Sequence, residues 1–78
     1  ALMIQLPLPK HLDKNFFLNQ ISPAKDADGL TATNLGLLFQ SNKKAIASAT
    51  SLAIVKLLQS YSITLSGKNA VIIGRSTE

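Results

Sequence analysis

Two short apolar runs near opposite ends of the chain restrict its fold more than any other feature. Residues 1–6, Ala-Leu-Met-Ile-Gln-Leu, carry one polar side chain, Gln5, and residues 70–74, Ala-Val-Ile-Ile-Gly, are uncharged and β-branched. The first run meets Pro7 and Pro9, which cannot donate to a ladder, and reads as a buried strand entering a loop. The second has the composition of a strand covered on both faces of a parallel sheet. Neither has a partner close by in sequence, and a parallel strand cannot satisfy its own backbone groups. The two runs either pair in one small α/β layer or belong to two sheets bridged by the helical sequence between them.

At 78 residues a chain buries only about 60–65 per cent of its unfolded surface, enough for one small domain at most. Apolar residues make up 46% and charged residues only 15%, so the chain is expected to present apolar faces that something else covers. It reads as a piece of a larger machine, and Ala1, with no initiator Met, reads as a cut or processed end. The net charge is +4, but Lys10, Lys14, Lys25, Lys43, Lys44, Lys56, Lys68 and Arg75 form no basic stripe. Phe16, Phe17, Phe39 and Tyr61 fall on apolar positions of predicted helices rather than between cations, which argues against nucleic acid as a partner. No cysteine is present, which removes disulfide and thiolate chemistry and most zinc readings, and fits an intracellular, cytoplasmic setting. No apolar run approaches the roughly 20 residues that a bilayer requires, and no signal peptide is visible, so a soluble protein without a membrane partner is expected.

Between the two runs the pattern is helical. Asp13 can accept from the free amides of a following turn, and Phe17, Leu18 and Ile21 recur at helical spacing before Pro23, predicting a helix over 14–21. Residues 22–33 have loop composition. A short helix over 34–39, broken or bent at Gly36, precedes a polar turn. The clearest helix spans 50–61, with Thr50 as its cap and Ile54, Leu57, Leu58 and Tyr61 on one face, widened by Leu52 and Val55.

Several residues can carry chemistry, each with a plainer alternative. Gln5 in an apolar strand needs a partner if it points inward, since an unpaired buried amide costs about 1–3 kcal/mol. On the residues alone it is more readily a satisfied core or sheet-edge glutamine than a ligand contact. Lys25-Asp26-Ala27-Asp28-Gly29 sets two carboxylates in a loop. It is no EF-hand, because Ala24 and Leu35 stand where ligands are required, and solvated turn carboxylates are the plain reading. Gly74-Arg75-Ser76 follows the second run, where open α/β sheets bind ligands, although a surface arginine at a strand end reads equally from so short a signal. Gly67-Lys68 is no P-loop, since Ser62 replaces its first glycine. His11 is a lone, exposed histidine with no matched ligand or nucleophile.

Taken together, Gln5-Leu6-Pro7-Leu8-Pro9, Lys25-Asp26-Ala27-Asp28-Gly29 and Val71-Ile72-Ile73-Gly74-Arg75-Ser76 resemble, in order and spacing, the middle of the bifunctional methylenetetrahydrofolate dehydrogenase/cyclohydrolase family. The resemblance implies an α/β fragment. Residues 1–47 would belong to an N-terminal folate-binding catalytic domain, 48–66 to a linking helix and loop, and 67–78 to the first strand of a Rossmann-like NADP domain. It also implies oxidation of methylenetetrahydrofolate with NADP, or alternatively NAD, followed by hydrolysis of the methenyl product, by a homodimeric parent enzyme. Gln5 would orient a catalytic lysine that, with a tyrosine, lies outside this chain. Asp28 would bind the aminopyrimidine of tetrahydrofolate substrates, and Asp26 would hold the loop. Gly74, Arg75 and Ser76 would begin the cofactor site, the arginine fork suiting the extra ribose phosphate.

The family's usual Pro-Cys-Thr-Pro is here Ser48-Ala49-Thr50-Ser51, so Thr50 and Ser51 are expected to contact the substrate without the proline that packs near the folate ring. The piece alone is expected to be inactive. Its rivals are a small non-catalytic interaction domain docking through the Ile54, Leu57, Leu58 and Tyr61 face, and a basic nucleic-acid binder.

Overall fold

A computed structural model describes residues 1–76. Three helices, α1 (Lys14–Leu18), α2 (Ala32–Phe39) and α3 (Ala49–Ser60), are joined by irregular chain that includes a 3-10 turn at Pro23–Lys25. The last two residues of the expected nucleotide-binding stretch, 77 and 78, lie outside the described residues.

The helices form where their local chemistry directs. The Asp13 carboxylate caps α1, accepting from the amides of Asn15 and Phe16 at 3.0 and 3.2 Å, so two of the four free first-turn donors are satisfied. The helix ends at Leu18, three residues short of the expected end, and Asn19 turns its side chain outward to accept from the Ala32 amide at 2.7 Å. Thr31 caps α2, its hydroxyl accepting from the Asn34 amide. This helix begins two residues before the expected start and runs unbroken through Gly36. At its far end Ser41 takes a left-handed φ of 55°. The Ser41 amide donates to Leu38 and the Asn42 amide to Leu37, each at 2.9 Å, closing a Schellman turn. A non-glycine residue costs about 1 kcal/mol or more in that conformation. Ser41→Gly is therefore expected to raise the thermal midpoint by about 4–8 °C, measurable by circular dichroism.

One expectation on helix capping is corrected. α3 starts at Ala49 with Ser48 as the residue before it, so Thr50 lies inside the first turn and is not the cap. The Ala49 amide is instead satisfied by the Asp28 carbonyl at 3.2 Å, a partner distant in sequence that spacing rules could not supply.

The two strands are corrected as well, and with them the α/β layer read from the sequence. Among the described residues there is no strand, only one parallel bridge between Leu2 and Asp26. The Leu2 amide donates to the Lys25 carbonyl at 2.6 Å, and the Ala27 amide to the Leu2 carbonyl at 2.9 Å. Residues 70–74 form no regular element, and Val71, Ile72 and Ile73 are 89, 91 and 98% exposed. The reason is that a parallel strand needs ladders on its edges and side chains over its faces, and none of the described residues provides them for this run.

What is buried is mostly polar. Leu18 and Ile21 are the buried apolar residues, beside Asp26, Thr31, Asn34 and Ser48. The accessible surface is 6610 Å², whereas a compact chain of 8.3 kDa exposes about 4,600 Å². The Cα radius of gyration, 14.2 Å, likewise exceeds the roughly 11.5 Å of a compact 78-residue domain. The excess surface lies on α3 and the segment after it, where Ile54, Leu57, Tyr61 and Ile63 to Ile73 are exposed.

Candidate functional site

Residues 1–6 and 26–30 are brought side by side by the Leu2 bridge, and α3 is set against the second by the bond from Ala49 to Asp28. The three segments enclose a cleft of about 310 Å³ lined by residues 3–6, Asp28, Leu30 and Ser48, Ala49 and Thr50. Gln5, Asp28 and Thr50, far apart in sequence, face one space.

Gln5 is exposed, and its amide nitrogen reaches only the neighbouring Leu6 carbonyl at 3.2 Å. It is therefore not the satisfied core glutamine that the residues alone favoured. Asp28 is half-buried, and its carboxylate has no hydrogen-bond or ionic partner among the described residues. An amide with free donor and acceptor capacity and an unpaired carboxylate can together bind a ligand edge that carries adjacent N–H donors and an acceptor.

Ser51 stands apart. It turns to a second, largely apolar groove of about 440 Å³ with Ile54, Val55, Ile72 and Ser76. Thr50 lines both spaces, so the cleft and the groove meet there. Gly74 and Arg75 are exposed, and open space surrounds Gly74. His11 is exposed. Among the described residues no group of three or more His, Cys, Asp or Glu could hold a metal, and no helix is long and apolar enough to cross a membrane.

The loop bearing Asp28 is held from beneath by residues that sequence reading largely passed over. Asp26 is 2% exposed. One of its oxygens accepts from the Thr31 amide at 2.8 Å and from the Asn34 side-chain amide at 3.0 Å. Burial alone pushes its carboxyl upward. The Thr31 amide, the Asn34 side chain, the Thr31 hydroxyl and the Leu30 amide outweigh that effect and hold it below the ordinary value of 3.8. The ionised form is thus favoured by the folded state. Its contribution to stability is complete above pH 3.8 and is lost as pH falls through the lower folded-state value. Thermal melts of the chain are expected to show a drop in midpoint below that pH, which Asp26→Asn removes.

Asn34 spends its whole side chain on this framework. Its nitrogen donates to Asp26 and to the Pro23 carbonyl at 2.9 Å, and its oxygen accepts from the Ile46 amide at 3.1 Å. Its signal in the sequence was faint, a polar residue at i, i+3 spacing from Leu37 on the inner side of α2. Gly29 completes the support, with φ +67° and the Ile46–Ala47 backbone occupying the space a Cβ would need.

No protein-family model matches the chain. Curated relatives do. The chain is 51% identical over 76 residues to a bifunctional protein FolD of Lactobacillus helveticus, covering 97% of this chain and 27% of that protein. It is 47% identical over the same length to bifunctional protein FolD 2 of Roseobacter denitrificans, spanning 25% of it, and 49% identical to the FolD protein of Acholeplasma laidlawii, spanning 27%. The chain thus spans about a quarter of the length of the curated relatives it matches, and the likeness fits an α/β enzyme. Almost end to end, the sequence corresponds to a stretch of the bifunctional FolD proteins, in agreement with the resemblance carried by its three motifs.

Proposed function

We propose that this chain forms part of an enzyme of one-carbon folate metabolism that oxidises methylenetetrahydrofolate with a nicotinamide dinucleotide and hydrolyses methenyltetrahydrofolate to formyltetrahydrofolate. The single observation that carries the reading is that Gln5, Asp28 and Thr50 line one cleft while the Gln5 amide and the Asp28 carboxylate remain unpaired with each other or with the core. The Asp28 carboxylate accepts two hydrogen bonds from the aminopyrimidine of the folate, fixing the ring and hence the reacting carbon. Gln5 faces the same ring and orients the catalytic lysine contributed from outside this chain.

NADP is the proposed dinucleotide, with NAD as the alternative, and it supplies the hydride acceptor when bound. The donor chemistry of Arg75 suits its ribose phosphate. Gly74, standing in open space, gives the described residues no closed cradle, so their part is limited to a phosphate donor and to Ser76. Residues 1–47 would form the folate side, 48–66 the link and 67–78 the start of a Rossmann-like domain, within a cytoplasmic homodimer.

Titration of the chain with a reduced folate, followed by amide chemical shifts, is expected to perturb residues 3–6, 28–30 and 48–50. Asp28→Ala should weaken binding at least tenfold, and unchanged affinity would remove the reading. Purified chain alone is expected to reduce no NADP, because the general acid/base is not among its residues. The exposed apolar face of α3, at Ile54 and Leu57, favours a second reading, a non-catalytic interaction domain. Loss of partner capture on Leu58→Asp with no folate binding in either form would select it.

A further inference from the structure

Asn34 lies behind the cleft, not in it, yet its hydrogen bonds reach both of the walls that bear ligand-facing residues. Through its nitrogen it holds Asp26, which in turn fixes the Thr31 amide and so both ends of the loop 26–31 that carries Asp28. Through its oxygen it holds the Ile46 amide, two residues before Ser48 and the start of α3. Its remaining donor reaches the carbonyl of Pro23, the first residue of the 3-10 turn whose Lys25 carbonyl binds Leu2. A planar amide offers donors and acceptor at fixed angles, so one buried side chain sets the position of one wall relative to the other.

We propose that Asn34 is a positioning residue of the folate cleft, setting the separation of Asp28 from the Thr50 wall by binding Asp26 on one side and the Ile46 amide on the other. The ligand in this inference rests on the folate reading above, whereas the coupling of the walls rests on the hydrogen bonds alone. No other side chain among the described residues, Ser76 set aside, hydrogen-bonds to both the 23–31 segment and the 45–48 segment. One backbone bond links the walls directly, from the Ala49 amide to the Asp28 carbonyl at 3.2 Å. The Gly29 contact with Ile46 and Ala47 limits approach of the walls but does not hold them together. Beside that backbone bond, the Asn34 side chain ties them together.

The test uses the 78-residue chain and 5-formyltetrahydrofolate, a stable reduced folate bearing the aminopyrimidine. Affinity is measured for wild type, Asn34→Ala, Asp28→Ala and the double variant, at a temperature where amide spectra report each as folded. Each single change is expected to weaken binding about tenfold or more, and the double change no more than the worse single one, since Asn34 acts through Asp28. Multiplying losses would overturn the proposal.

A second arm needs no ligand. Amide hydrogen exchange at Ala49, compared with Leu35 inside α2, is expected to quicken selectively in Asn34→Ala. The same is expected in Asn34→Asp, which keeps the acceptor for Ile46 but sets a carboxylate against Asp26, and which serves if the alanine variant fails to fold. Uniform acceleration at both amides would mean that Asn34 merely stabilises the fold and would overturn the proposal. If wild type and Asp28→Ala bind the folate equally, or neither binds, the folate reading fails while the exchange arm still decides the positioning role.

Discussion

Alanine at Gly29 is expected to destabilise the chain by about 2–5 kcal/mol, combining the left-handed backbone penalty with an overpacking cost. The geometry allows no relief. An added Cβ would stand 2.6 Å from the Ile46 carbonyl oxygen and 2.7 Å from the Ala47 carbonyl carbon and oxygen. These are backbone atoms, not the ends of flexible side chains. Moving them displaces the segment that delivers Ser48 and Ala49 to α3. A chain of this size has on the order of 4–12 kcal/mol of stability in total, so Gly29→Ala should leave little folded protein at 37 °C. A thermal melt decides it, a midpoint within a few degrees of wild type being the result that would contradict the packing. Gly36→Ala is the matched control. Gly36 sits in α2 with open space around it, and alanine there should stabilise by about 0.5–1 kcal/mol through helix propensity.

Asp26→Ala is expected to cost about 3–5 kcal/mol, because it removes the acceptor of several donors at once and leaves buried ones unmatched at about 1–3 kcal/mol each. The Thr31 amide and the Asn34 side chain both aim at one carboxylate oxygen, and water has no ready access to a site only 2% exposed. Asp26→Asn should cost less, since it keeps one acceptor oxygen, but it replaces the other with a donor facing donors. The order expected in urea melts is therefore wild type, then asparagine, then alanine. Equal losses for the two variants would indicate that charge alone, and not acceptor count, holds the loop. Asp28→Ala, one turn along the same loop, should by contrast change stability by less than about 0.5 kcal/mol, because its carboxylate has no partner among the described residues. Two aspartates separated by one residue thus separate into a framework group and a ligand-facing group, and the stability measurements can tell them apart.

The three helices were legible from the chain because their causes are local. Apolar spacing and the Asp13 cap act within a few residues, and the observed helices differ from the expected ones at their ends and at Gly36, where no break occurs. The three motifs were legible for a related reason: residue types at fixed spacing survive whether or not their neighbours are in place, and they carry the likeness to the FolD proteins. The strands were not decided at that level. Residues 1–6 and 70–74 have strand composition, but a ladder is a property of two segments, and among the described residues only the single bridge from Leu2 to Asp26 is made. Tertiary structure alone decided that Asn34 would be framework. Asn34 is ordinary in sequence, yet it is buried by partners at positions 23, 26 and 46, whereas Thr50 stands at the meeting of two open spaces. Hydrogen bonds across 8 to 12 positions have no local signature, because the same amide side chain is equally content in water until a distant backbone group is brought against it.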